Sequence, residues 1–141
     1  VGTDGTNLRV NVDDGMVSVD GTLAYDAADM HAGETPAIVA VAYTNSVGKP
    51  EATAMYDIDA TIVALIQQAP PNDGVLKAIG KLGVEGAANY AFDIAATAEL
   101  VNTAYLVVGS TLHTVALDTG AATAVGALAI DGTIRDIAIL P

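Results

Sequence analysis

The sequence predicts an all-β fold: a β-propeller-like array of about three four-stranded antiparallel blades, a partial propeller. Three observations carry this. Short apolar runs have strand length and often strand period, Asp-Gly pairs punctuate them, and one glycine-leucine pattern recurs three times.

Taken in order, Leu8, Val10 and Val12 alternate with Arg9 and Asn11, and Val17 and Val19 alternate with Ser18 and Asp20. Period two marks a sheet with one buried face. The runs 37–43, 61–66 and 105–108 are apolar at successive positions, which predicts interior strands between packed layers. Asp-Gly occurs at 4–5, 14–15, 20–21, 73–74 and 131–132. Glycine accepts positive φ and aspartate tolerates it, so each pair predicts a tight turn between strands. Asp118-Thr119-Gly120 is a three-residue variant. Residues 75, 76, 79 and 82 have a helical spacing of apolar side chains, but Gly80 and Gly83 would each cost a helix about 1 kcal/mol. A strand is the better prediction there.

The pattern Gly-x5-Gly-x-Leu covers Gly15, Gly21 and Leu23, then Gly74, Gly80 and Leu82, then Gly120, Gly126 and Leu128. Each copy follows a short apolar strand: 8–12, 62–66 and 112–117. A further strand follows each copy, at 37–43, 90–95 and 134–140, and another precedes two of them, at 53–58 and 103–109. Four-stranded antiparallel units repeating at about 45 residues are the signature of propeller blades. The blade units fall at 1–25, 36–84 and 88–130, within a single domain 1–141, with a closing strand at 134–140. Closed propellers have about 4 to 8 blades. Three incomplete blades therefore predict open edges, and 134–140 is placed to complete the first blade of another copy. A ring or a fibre is then expected, depending on whether the rotation closes; the alternative expectation is that the chain is a fragment of a propeller whose other blades lie elsewhere.

Five Lys and Arg face seventeen Asp and Glu, a formal charge of −12. Such a surface repels phosphate backbones and anionic headgroups, which argues against nucleic-acid partners and membrane association. Apolar residues form 52% of the chain and charged ones 16%, which is ample core material and argues against disorder. Without cysteine there is no disulfide framework, thiol catalysis or zinc–thiolate site. No run approaches the roughly 18 apolar residues of a membrane helix; the best stretch, 36–47, is interrupted by Tyr43, Thr44, Asn45 and Ser46. The opening Val1-Gly2-Thr3-Asp4-Gly5 reads as mid-domain sequence, as expected of a mature secreted chain or a fragment.

Candidate chemistry is sparse. Only His31 and His113 offer an imidazole base, and none of Ser18, Ser46 and Ser110 lies in Gly-x-Ser-x-Gly. His113, beside Leu112 on a predicted strand, is expected at a sheet surface or partly packed. The loop Asp26-Ala27-Ala28-Asp29-Met30-His31-Ala32-Gly33-Glu34 brings carboxylates near an imidazole, but without fixed ligand spacing it is expected to be a flexible, solvated acidic loop. Asp57, Asp59, Asp13 and Asp14 are the candidate metal ligands, since calcium takes hard oxygen donors. Asp57 and Asp59, two apart on a strand, share a face and repel unless a cation bridges them. Turn-capping aspartate is the commoner role, and Ile62 stands where an EF-hand turn glycine would be. No defined carboxylate separation points to glycoside hydrolysis. One Phe, five Tyr and no Trp make a thin sugar-stacking surface. Gly80-Lys81-Leu82-Gly83 lacks the spacing of a phosphate-binding loop.

Several segments come in a familiar order: Asn7-Leu8-Arg9, Asp20-Gly21-Thr22-Leu23-Ala24-Tyr25, Ala42-Tyr43-Thr44-Asn45-Ser46, Tyr56-Asp57-Ile58-Asp59, Pro70-Pro71-Asn72-Asp73-Gly74 and Phe92-Asp93-Ile94. Together they resemble the C-terminal portion of an uncharacterised family of secreted bacterial proteins known as a domain of unknown function. The resemblance implies a β-propeller-like fold, further repeats upstream and an exported location. It implies no activity and no site residue.

The expectation is a non-catalytic exported structural or binding module that self-assembles by β-strand complementation, as a homodimer or a fibre, through Ile134, Ile137 and Ile139. The alternative is a calcium-dependent ligand or surface binder; a hydrolase has the least support. No cofactor other than calcium is expected.

Overall fold

The computed structural model describes residues 1–2 and 4–140; Thr3 of the opening stretch, and Pro141, lie outside the described residues. The chain is all-β, with eleven strands and one short 3-10 turn at Pro71–Asp73 among the described residues. Strands β1 (Leu8–Val10) and β2 (Val17–Val19) form an isolated antiparallel hairpin. Strand β3 (Ala24–Tyr25) joins a five-stranded sheet with β4 (Ile38–Tyr43), β5 (Met55–Asp59), β6 (Ala64–Gln68) and β7 (Val75–Lys81), in the order β3-β7-β6-β5-β4. Strands β8 (Tyr90–Ala96), β9 (Asn102–Val108), β10 (Thr111–Val115) and β11 (Ala122–Ala127) form a four-stranded meander ordered β11-β10-β9-β8. Every pairing is antiparallel except β3 against β7, and none of the three sheets closes on itself.

The sheets are held together by the apolar faces of their strands. Between the larger two, Ile58, Leu65 and Leu82 meet Phe92, Ile94 and Leu106, all buried, and β4 lies against β8. On the opposite face of the five-stranded sheet, Leu23, Tyr25, Ile38, Ile66 and Leu76 form a second cluster. Fully burying each such aliphatic side chain contributes about 1.5–3 kcal/mol. The five-stranded sheet is thus covered on both faces, which explains why 61–66 lacks polar alternation.

The recurrent glycines form the joints between successive units. Gly21 donates its amide to Asn72 O at 2.8 Å, and Ala24 donates to Gly74 O at 3.0 Å. A methyl group on Gly74 would collide with the Gly21 carbonyl, and one on Gly120 with the Gly80 carbonyl. The second glycine of one copy therefore nests against the first glycine of the next, and only glycine permits that approach.

Several sequence expectations are corrected. Asp20-Gly21 is not a turn: Gly21 lies outside the positive-φ region and packs on the backbone of Asp73. The β1–β2 hairpin has no buried face; all six of its residues are exposed, because no layer covers it. No strand forms over 134–140. That segment is held by side chains instead: Asn89 Nδ2 donates to Ile134 O at 2.9 Å, and Asp93 Oδ2 accepts the Ile139 amide at 2.7 Å. His113 is not a surface residue but is buried on β10, with Nδ1 lacking a hydrogen-bond partner. The 25–35 loop is built rather than loose. Asp26 and Asp29 each accept an amide two residues on, and Asp29 Oδ2 accepts the Ala78 amide of β7 at 2.8 Å.

Candidate functional site

Two regions gather the residues that bear on function: the buried carboxylates of β5 and the uncovered ends of the array.

On β5, Met55, Asp57 and Asp59 alternate onto one face. Asp59 is saturated. Its Oδ2 accepts Tyr25 OH at 2.7 Å and the Ala37 amide at 3.0 Å, and its Oδ1 accepts the amides of Thr61 and Ile62 at 2.7 and 3.2 Å. It locks β3, the start of β4 and the β5–β6 turn together. Burial, followed by the hydrogen bond to Asp59, pushes the Tyr25 phenol well above its ordinary range. Asp57 is the contrary case. It is fully buried, its cross-strand neighbours are Val41 and Ile66, and neither carboxylate oxygen has a hydrogen-bond partner. Burial raises its pKa from 3.8 to about 7. Gln68, on the same sheet, donates Nε2 to Pro71 O at 2.7 Å while its buried Oε1 is also unpartnered.

Asp13 and Asp14 lie far from this set in sequence and setting. Both are exposed in the β1–β2 turn, where Asn11 Oδ1 accepts the Asp13 amide at 2.9 Å and Asp14 Oδ1 accepts the Met16 amide at 2.8 Å. The capping role explains Asp14. Among the described residues no three His, Cys, Asp or Glu side chains converge as a metal cluster. A cleft of 310 Å³ beside β4 is lined by Ile38 to Val41, Phe92, Arg135 and Asp136, and holds neither histidine nor serine.

The ends are apolar and uncovered. The hairpin exposes Val10, Val17 and Val19, the last 81% exposed. An isolated two-stranded hairpin is at best marginally stable in water. At the other end, β11 is an edge strand with five of its six residues exposed, and residues 119–130 carry no charge in a chain of −12. Of the candidate self-association residues, Ile134 and Ile137 are half-buried and Ile139 is exposed, as is Leu140. Edge strands without charges, prolines or covering loops invite pairing. Sequence reasoning missed β11 as an edge, Tyr25 as the Asp59 partner and Gln68. The glycine spacing was the available signal for the first.

These features define an all-β chain of three sheets with no assembled catalytic constellation among the described residues. The chain belongs to the family described as Domain of unknown function (DUF4394), which matches residues 1–138. Neither the curated proteins nor the solved structures contain a match to it.

Proposed function

We propose that this protein is a non-catalytic structural module, exported from its cell, that self-assembles by strand complementation. The observation that carries the proposal is the pairing state of two apolar segments: the β1–β2 hairpin is exposed on both faces, and 134–140 lies outside any ladder. On exchanging the side-chain hydrogen bonds that hold it for a ladder, the latter segment offers main-chain donors and acceptors, and alternate apolar side chains such as Ile134, Ile137 and Ile139 set register. The charge of −12 keeps assemblies soluble and makes their formation favour screening salt. Export and a propeller-like arrangement of the sheets belong to the same proposal, through the resemblance to secreted propeller-like proteins.

Light scattering over a concentration series tests it. Mass rising with concentration and with salt supports assembly. A mass that stays monomeric at about 1 mM, where even weak complexes populate, overturns it.

A calcium-dependent binder is supported by one observation, the two unpartnered oxygens of Asp57. Against it, Asp59 already accepts four hydrogen bonds. Calorimetric titration with calcium, with a chelator control, separates the two; binding heat that Asp57→Asn abolishes would favour the calcium reading.

A further inference from the structure

Two buried side chains on one face of the five-stranded sheet carry oxygens that no described residue satisfies. They are Asp57, with both Oδ1 and Oδ2, and Gln68, with Oε1. Asp57 is 0% exposed and Gln68 1%. The ladder places them together. Asp57 stands opposite Ile66 on β6, and Gln68 lies two positions further along that strand, so the two are diagonal neighbours on the same face. Diagonal neighbours stand about 7–8 Å apart, within the joint reach of an aspartate and a glutamine.

The orientation of Gln68 is fixed. Pro71 O accepts its Nε2 at 2.7 Å, and a carbonyl oxygen can face only the nitrogen of the amide. Oε1 is therefore held on the other side. With Asp57 ionised, all three oxygens are acceptors and cannot satisfy one another. No ion pair among the described residues reaches Asp57: Arg9 is on Asp20, and Lys77 is on Asp26. Asp59, two residues on, already accepts four hydrogen bonds. A cleft of 260 Å³ lies over this face. Val41 and Met55 of its lining are the cross-strand neighbours of Asp57 and Gln68, and Pro71 is the hydrogen-bond partner of Gln68.

An ionised carboxylate inside a protein is paired, neutralised or bound to a cation. The donors here are hard oxygens, a carboxylate and an amide carbonyl, which suit alkali and alkaline-earth ions rather than soft metals. Charge and ligand number choose between those two. One carboxylate balances a single positive charge, whereas a divalent ion would leave an uncompensated charge in the apolar interior. Calcium also takes about 6–8 oxygen ligands, more than the three unspent side-chain oxygens present.

We infer that Asp57 and Gln68 form an internal site for an alkali cation, held by both carboxylate oxygens and by Gln68 Oε1. The ion ties β5 to β6. Through Gln68 and the Pro71 carbonyl, which Asn7 also engages, it reaches the base of the amino-terminal hairpin. This site is independent of the proposed self-assembly, and it differs from the calcium reading in the charge of its ion.

The test is a set of thermal melts at about pH 8, where Asp57 has released its proton. Sodium, potassium and tetramethylammonium chloride are compared at a matched ionic strength of about 0.5 M, which screens the surface charges. Tetramethylammonium is too large to enter. An ion at about ten times its dissociation constant raises the melting temperature by about 3–6 °C. Sodium or potassium should produce that gap over tetramethylammonium, and a gap below about 1 °C overturns the site. The gap should vanish in Asp57→Asn and shrink by half or more in Gln68→Leu. An undiminished gap in either variant overturns the assignment. Glu99→Gln, which removes an exposed charge, should keep the gap; its loss there marks a surface effect and also overturns the site. Calcium stabilising more than sodium at the same ionic strength overturns the single charge and favours the calcium reading.

Discussion

Replacing Asp57 by asparagine should remove most of one pH-dependent loss of stability. The carboxyl is fully buried between Val41 and Ile66, and burial raises its pKa from 3.8 to about 7. The folded state therefore holds this proton more tightly than the unfolded chain does. The resulting stabilisation is fully present below about pH 4 and is lost as pH rises from there through about 7, above which the loss is constant. A shift of about 3 units at 1.36 kcal/mol each amounts to about 4 kcal/mol, a large part of the 5–15 kcal/mol that holds a typical domain together. Asparagine keeps the shape and cannot ionise. Urea unfolding of both proteins at several pH values between 4 and 8 isolates the site, because the other carboxylates cancel in the difference. That difference should move in favour of the asparagine variant by about 4 kcal/mol as pH rises. A difference constant to within about 1 kcal/mol would refute the account of Asp57 as an uncompensated buried acid.

Further outcomes follow from the same geometry. Tyr25→Phe deletes the 2.7 Å hydrogen bond to Asp59, and the denaturation midpoint should register a loss of about 1.5–3 kcal/mol, as for bonds to charged groups. Gly15→Ala and Gly120→Ala place the same methyl group at nearly the same φ, but only the second collides with backbone. Thermal melts of the monomer should show the first costing about 1–2 kcal/mol from the left-handed conformation alone, and the second clearly more.

The all-β class was legible because strand period and turn chemistry are local properties. So was the positive φ of Gly15, Gly74 and Gly120, which close turns or cap them. What sequence could not supply was the identity of spatial neighbours. Asp20-Gly21 looks like a turn, yet Asp73, more than fifty positions away, determines that Gly21 is a contact point. Ile134 to Leu140 has the composition of a strand, but Asn89 and Asp93 engage its backbone in place of a ladder. Asp57 and Asp59 stand two apart and share a face, and their fates diverge because Tyr25 and the turn amides reach only Asp59. The three-fold glycine pattern was plain in the sequence. That it works by nesting one copy on the next required the fold.

The Asn45–Asn102 clasp has a mechanical consequence. Asn102 Oδ1 accepts the Asn45 amide and Asn102 Nδ2 donates to Asn45 Oδ1, each at 2.7 Å, tying the loop after β4 to the first residue of β9. With the shared apolar core, it fastens the two larger sheets at a point where neither could swing without breaking both bonds. Among the described residues, the amino-terminal hairpin is fastened only at its base, by Asn7, whose Nδ2 reaches Gly21 O and Pro71 O, and by the Gly21 amide on Asn72 O. In a linear array each unit is only as firm as its seam with the next. A protease should therefore trim the amino-terminal hairpin and leave the clasped pair intact.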